Sequence, residues 1–506
     1  MAAFAARVAA LRGWRRALLA LALGAGLTAA QPPVHLVFML VPGFTGLCWL
    51  LDGTQGWRSR FATVWCFAFG HYVTGVYWIS ESFYVDAERY AWLVPVPLLV
   101  LPAVMALLPA AGFAVAPWPR ANLARPFALA ATWLAVEWLK AYGLLGFPWN
   151  LPGQAWDAST AMLQAHALLG AFGVSLLTVL IAALPTTLGQ RGGRIAVGIG
   201  IATLLAWWGL GSWRLAATEV ATVPGVQLRL VQANIAQKQK WLEAERFRNL
   251  ERHIELSTGG ATTPTHVIWP ETAVPFLLDA EPRLLEYLAE RLGPETVLLA
   301  GALRRTAPDQ PIQVWNSLHV ARGGAVVATY DKRHLVPFGE FLPFRSWVSL
   351  VGLDRLALSN IDFSEGDGSG GRLTVPGAPL ARALICYEAI FPAEVRAGAE
   401  DAGWLINVTN DAWFGVSAGP YQHLAAARAR AVELGLPLAR VASTGVSAVI
   451  DPLGRFVARL ELDTAGSTDS PLPAALPGET VYHRFGDAVF LGVWLLCAAA
   501  TFVTRR

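Results

Sequence analysis

Charge is what this chain has least of. Asp, Glu, Lys and Arg make up 15% of its 506 residues, against about 25% in ordinary soluble proteins. Hydrophobic residues reach 55% and the mean hydropathy is +0.44. The shortage excludes a freely soluble protein and points to a membrane protein, or to one carrying a soluble domain. Cysteine is also scarce, with 4 residues and no framework spacing, so no structural disulfide is expected. A net charge of +3 gives a nucleic-acid partner no footing. Gly-x-Gly-x-x-Gly, a P-loop and His-Glu-x-x-His are all missing, which leaves dinucleotide, nucleotide and zincin sites without support. No metal or other cofactor is expected.

What is present is a series of long apolar runs. A helix needs roughly 20 apolar residues to cross the hydrocarbon core. Candidate spans lie at about 15–31, 33–51, 61–80, 90–117, 124–140, 159–186 and 195–213, with another at about 484–503. The sequence thus predicts a polytopic helical bundle of about eight spans. Three regions follow: a membrane domain over 1–216, a polar domain over 217–481, and a last span with its tail over 482–506. The first run follows Arg12, Arg15 and Arg16 and has the outline of a signal peptide; the spans directly behind it favour a retained helix. Arg7, Arg12, Arg15, Arg16, Arg58, Arg60, Arg120, Arg125, Arg191, Arg194, Arg505 and Arg506 fall on one side of the alternating topology. By the positive-inside rule that side is cytoplasmic. Both termini then lie in the cytoplasm and 217–481 faces outward, where ATP and acyl-CoA are not expected. Polar His71, Glu81, Glu137, Asn150, Gln154, Gln164 and His166 lie in or beside the apolar runs, as helix–helix partners or as a polar entry for a headgroup. The stretch Gly146–Gly153 reads as broken, aromatic backbone, either packed inside protein or a surface turn.

The polar domain has an α/β pattern. Residues 226–234 alternate like a half-buried strand. A helix is expected over 239–257, with Trp241, Phe247, Leu250 and Ile254 on its apolar face. Further helices are expected at about 281–292, 390–400 and 420–434, and a late strand at 455–460. Many short strands with interleaved helices argue for a layered sandwich. Three chemistry-bearing residues follow strand-like runs: Glu271 after Val-Ile-Trp-Pro, Lys332 after Thr-Tyr-Asp, and Cys386 after Ala-Leu-Ile. The other cysteines, Cys48, Cys66 and Cys497, lie in apolar runs. A thiol, a carboxylate and an ammonium suit a nucleophile, a general base and a stabiliser of developing negative charge. Taken singly, each residue reads as well as a core cysteine or a surface charge, and spacing alone does not bring them together.

The motifs do more. Gln232-Ala-Asn-Ile235 with Trp241, Trp269-Pro-Glu-Thr272, Tyr330 through Pro343, Cys386-Tyr-Glu388, Asn407 through Gly415, Gln422-His423 and Arg440 through Gly445 together resemble the bacterial apolipoprotein N-acyltransferases. The polar domain among them is similar to the nitrilase, or carbon–nitrogen hydrolase, superfamily. The resemblance implies an α/β/β/α sandwich, with Cys386 as nucleophile, Glu271 as base and Lys332 supporting the intermediate. It implies supporting roles for Glu340, Tyr387, Glu388 and Trp241, though Trp241 reads equally as an anchor of its helix. Phe338, Phe341, Phe344, Trp413 and Phe414 are candidates for a lid or substrate rim.

The reaction so implied is a two-stage acyl transfer. A phosphatidylethanolamine-like phospholipid gives an acyl chain to Cys386, and the α-amine of a diacylglyceryl-modified apolipoprotein takes it from the thioester. The implied setting is the bacterial inner membrane with the catalytic domain in the periplasm, and the expected state is a monomer. A membrane-tethered amidase or nitrilase-type hydrolase is the alternative. A transporter or receptor with an inactive outer domain fits the intact Glu, Lys and Cys set poorly.

Overall fold

The computed structural model describes residues 2–119, 123–144, 146–260, 262–343, 362–367 and 370–503. They form two compact units. One comprises Met1–Glu219, Ser417–Glu433 and Glu479–Arg506; the other comprises Val220–Val416 and Leu434–Gly478.

The first unit is helical. Three stretches, Ala87–Val115, His166–Thr187 and Gly193–Ala217, are long and apolar enough to cross a membrane, and Val37–Asp52 and Ala488–Thr501 are shorter apolar helices. The expected set of about eight spans is therefore met in part by length and composition. Helix Gly13–Thr28 has 16 residues, short of a full crossing, whereas Ala124–Leu139 runs on into the π-helical turn Lys140–Leu144. Phe44, Phe67, Leu129, Trp133, Phe172 and Phe490 meet in the core of this unit.

Its buried polar side chains pair with one another. Lys140 Nζ lies 2.6 Å from Glu137 Oε2, the Thr28 hydroxyl is 3.0 Å from His71 Nδ1, and Arg214 donates to Gln164. The Gly146–Gly153 stretch is packed inside protein. Trp149, Asn150 and Leu151 are buried, Asn150 Nδ2 donates to the Gly75 carbonyl at 2.9 Å, and Trp149 Nε1 donates to Gln422 Oε1 at 2.7 Å.

The second unit contains two six-stranded sheets. The strands are β1 Thr222–Gln232, β2 His266–Ile268, β3 Val297–Arg305, β4 Val314–Arg322, β5 Ala325–Asp331, β6 Arg372–Leu373, β7 Ala381–Ile385, β8 Trp404–Thr409, β9 Leu438–Ala442, β10 Ser447–Ile450, β11 Phe456–Leu460 and β12 Gly466–Pro473. One sheet runs β12-β1-β2-β3-β4-β5 and the other β11-β10-β9-β8-β7-β6. The middle of each is parallel: β1, β2 and β3 in one, β7, β8 and β9 in the other.

Period-2 alternation builds the layers. Leu228, Leu230, Ile268, Leu299, Leu318, Ala383, Ile385, Ile406, Val408 and Val441 form the core between the sheets. The alternate residues Val231, Val267, Leu298 and Ala300 pack against Leu250, Ile254, Leu285 and Leu288. The latter lie on the helices Arg246–Thr258 and Pro282–Leu292. Two predicted elements differ. The helix expected at about 390–400 is reduced to the five residues Pro392–Arg396. The helix expected over 239–257 is broken into short turns before Arg246, and Trp241 and Phe247 are 41% and 70% exposed. Leu250 and Ile254 alone supply that helix's inward apolar contacts named in the expectation.

Candidate active site

The strand directions gather the candidate residues at one end of the unit. Glu271 follows the parallel strand β2, and Cys386 follows the parallel strand β7. Strand β5 runs with β3, because each is antiparallel to β4, so Lys332 leaves the sheet at the same end. Carboxyl ends of parallel strands are where open α/β sheets place their chemistry.

Glu271 sits on a turn after Pro270, which cannot donate to a ladder. Gly301 of β3 makes the turn's position feasible: a Cβ there would stand 2.5 Å from the Pro270 carbonyl and 2.6 Å from Glu271 Cα. Thr272 completes the turn at φ 48°. The Glu271 side chain is buried, and its Oε1 accepts from Asn316 Nδ2 at 2.6 Å. Oε2 has no hydrogen-bond partner among the described residues.

Lys332 is buried and bonds Glu340 at 2.8 Å, with Glu271 Oε1 at 3.9 Å. Glu340 also accepts from Asn316 Nδ2 at 3.1 Å and from the Val336 amide at 2.8 Å. Asn316 thus joins Lys332 in bridging the two carboxylates. The sequence did not single it out, because it is one polar residue within an alternating strand.

Cys386 has φ 52°, a left-handed conformation uncommon for a residue with a Cβ and characteristic of functional turns. Glu388 holds that turn. It accepts from the Ile385 amide at 2.7 Å, the Tyr330 hydroxyl at 2.7 Å and the Arg333 amide at 2.9 Å. One buried carboxylate therefore ties the thiol's turn to the end of β5, next to Lys332. Tyr387 packs edge-on against His334 and Phe391, with ring centroids 5.4 and 5.0 Å away. Beyond β8, Asp411 and Arg440 form a fully buried pair at 2.8 Å, and Arg440 also donates to Asn407.

The charges oppose one another in a definite order. Burial pushes the Cys386 thiol well above its ordinary range; Glu271 adds to that and Lys332 opposes it. The resting sulfur is therefore a neutral thiol. Burial also raises Glu271, against the pull of Lys332. Burial alone would lower Lys332, but Glu340 and Glu271 outweigh it and keep the ammonium firmly charged. The site thus offers a protonated thiol, a carboxylate made more basic than usual, and a fixed cation.

The rim candidates divide. Phe338 is 60% exposed with φ 64°, and its amide bonds the Phe341 carbonyl at 2.7 Å. Trp413 and Phe414 sit half-buried on the turn Asp411–Phe414 after β8. Phe344 lies outside the described residues.

Comparison with known proteins agrees with this architecture. The apolipoprotein N-acyltransferase N-terminal domain matches residues 23–184, and the carbon–nitrogen hydrolase domain matches residues 227–472. The chain is 42% identical to an apolipoprotein N-acyltransferase of Bradyrhizobium diazoefficiens, covering 98% of this chain and 96% of that one. It is 40% identical to one from Rhodopseudomonas palustris, with 94% and 92% covered. A Brucella melitensis relative of the same description is 39% identical, with 94% and 93% covered. Full-length likeness at this level joins the helical unit and the hydrolase-like unit in a single assignment, an enzyme of acyl transfer to lipoproteins: the chain belongs to the apolipoprotein N-acyltransferase family.

Proposed function

We propose that Cys386, Glu271 and Lys332 carry out the transfer through a thioester, with phosphatidylethanolamine-like phospholipid as donor. The observation that carries this reading is the joint placement of a neutral thiol on a strained turn, a carboxylate of raised basicity and a buried cation. Glu271 takes the Sγ proton of Cys386, and sulfur attacks the ester carbonyl. As the C–S bond forms, negative charge develops on the carbonyl oxygen, which Lys332 and main-chain N–H groups near residue 387 stabilise. The ester C–O bond then breaks, Glu271 returns its proton to the departing oxygen, and lysophospholipid leaves.

The second stage uses the same groups. The neutral α-amine of a diacylglyceryl-modified cysteine attacks the thioester carbonyl. A C–N bond forms, the C–S bond breaks, and the amine proton passes through Glu271 to the sulfur. An α-amine titrates near about 8, so a useful fraction is neutral at working pH. The thioester conserves the acyl activation, so neither ATP nor a cofactor is consumed. Water must be kept from it. Phe338, Phe341, Trp413 and Phe414 are the residues assigned to shield the acyl group, and Trp241 to flank its entry.

We place the chain in the inner membrane with about eight crossings, both termini in the cytoplasm and the catalytic domain in the periplasm. Helices too short to cross alone are accommodated by local thinning and by their neighbours. The protein is assigned as a monomer, because a single chain supplies every group used.

The test is the intact mass of detergent-purified protein incubated with phosphatidylethanolamine alone, with Cys386→Ala beside it. A hydroxylamine-labile gain of one acyl chain, absent from the variant and discharged onto an added diacylated lipopeptide, is the expected result. An acyl adduct of equal yield on Cys386→Ala would refute the assignment of the nucleophile.

A further inference from the structure

Lys240 is a charged group that the mechanism above does not use. It ends the short helix Gln237–Lys240 and is 5% exposed. Its Nζ donates to the main-chain carbonyl of Glu271 at 2.9 Å. Among the described residues that is its one hydrogen bond, and it forms no ion pair. The helix is held in place from elsewhere: Asn410 Nδ2 donates to Gln237 Oε1 at 2.8 Å, and Asn249 Nδ2 donates to the Gln239 carbonyl at 3.3 Å. Beside the ammonium is a small recess, which Asn249, His253 and Ser443 also line. A buried ammonium without a paired carboxylate is expensive.

The charges at the site show what that cation can do. Lys332 is closely matched by Glu340 at 2.8 Å, which leaves Glu271 at 3.9 Å as its more distant neighbour. Two carboxylates thus share one lysine. Moving a proton from Cys386 to Glu271 relocates a negative charge onto sulfur without changing the total. Lys240 adds a second buried ammonium, held against the Glu271 turn.

We propose that Lys240 is a positioning residue: its ammonium pins the Glu271 turn through the main chain, and its unpaired charge favours the anionic state of the Glu271–Cys386 pair. This rests on the reading of those two residues as base and nucleophile. Burial draws Lys240 down to about 8, while Glu271 and Cys386 pull it back up. The other titratable group facing it is His253, whose pKa is lowered to about 4, chiefly by burial and partly by Lys240 itself. At pH 7 His253 is therefore neutral and Lys240 is charged.

The experiment uses the full-length, detergent-purified enzyme as Lys240→Met, Lys240→Gln and Lys240→Arg, with wild type and Cys386→Ala. Alkylation of Cys386 by iodoacetamide, followed by peptide mass from pH 5 to 10, reads the thiolate without any acyl donor. Acyl-enzyme formation from phosphatidylethanolamine is measured in parallel. Lys240→Met and Lys240→Gln are expected to slow alkylation at pH 7 about tenfold, with the difference from wild type shrinking above about pH 8, where Lys240 loses its own charge. Acylation should slow in step, while Lys240→Arg restores both. A wild-type alkylation profile in both neutral variants, with unchanged melting temperatures, overturns the proposal. So does an arginine variant as impaired as methionine, which would mark a packing role. A shifted alkylation profile with no acyl-enzyme even in wild type would fault the transfer reading and still support the role of Lys240.

Discussion

At the scale of single residues, Glu271, the proposed base, carries a cost in stability. Its carboxyl is raised from 4.5 mainly by burial, so the folded protein holds that proton more tightly than the unfolded chain does. Stability from this group is present at low pH and is lost as pH rises from the unfolded value through the folded one. Above that window the wild type carries a buried anion that glutamine would not. Glu271→Gln is therefore expected to melt higher than wild type at pH 8, with the advantage shrinking toward pH 4, and to slow acylation by about 10²- to 10⁴-fold. Thermal unfolding and single-turnover mass measurements check the two halves separately; a lower melting temperature at pH 8 would contradict the first. Glu271, Lys332 and Cys386 were legible in the sequence as candidates, because each closes a strand-like run inside a distinctive motif. Asn316 and Lys240 were not. Their importance comes from contacts 45 and 31 residues away along the chain, and nothing in an alternating strand or a polar turn announces such a contact.

At the scale of elements, the turn after β7 and the end of β5 are one mechanical part, because both hang on Glu388. In Glu388→Gln an amide nitrogen replaces one oxygen, so a donor faces the Tyr330 hydroxyl and the Arg333 amide, or else the Ile385 amide. The expected result is a fall in kcat of about tenfold or more with little change in KM, since about 1–3 kcal/mol of buried hydrogen bonding is lost where the thiol and Lys332 are aligned. Steady-state transfer kinetics decide it, and an unchanged kcat would remove Glu388 from that role. The helix Gly419–Leu434 is a second such part. Arg428 pairs with Asp157 at 2.7 Å, and the Ala171 amide bonds Glu433 Oε1 at 2.8 Å. Arg428→Ala and Asp157→Ala are each expected to lower the melting temperature, and the double variant to cost less than their sum, with a coupling of about 0.5–3 kcal/mol. Strict additivity would show that the pair contributes nothing.

At the scale of the whole molecule, orientation is the open physical claim. Reporter fusions should place residues after 219 outside the cytoplasm and the chain end within it: a periplasm-dependent phosphatase fused near 220 is expected to be active, and one fused after 503 inactive. The reverse pattern would invert the topology. Fold was legible here to the extent that local periodicity dictates it. Alternation in β1 reappears as packed faces, and the helix expected at about 281–292 is found as Pro282–Leu292. The length of each membrane helix was less legible, because hydropathy marks apolar runs and not the positions where helices break, as at Gly170 with φ 63° inside His166–Ala183. Nor did the sequence reveal that Ser417–Glu433 packs with the first unit. Its helix was expected at about 420–434, but the contacts of Arg428 with Asp157 and of Glu433 with the Ala171 amide appear only in the structure.

That interleaving bears on how such a protein can be taken apart and recombined. A cut at 219 and 479 would not release a self-contained module, since the excised piece would carry a helix separated from Trp149, Asp157 and the Ala171 amide. End-to-end joining at 219 and 479 would leave Asp157 and the Ala171 amide without the helix they receive.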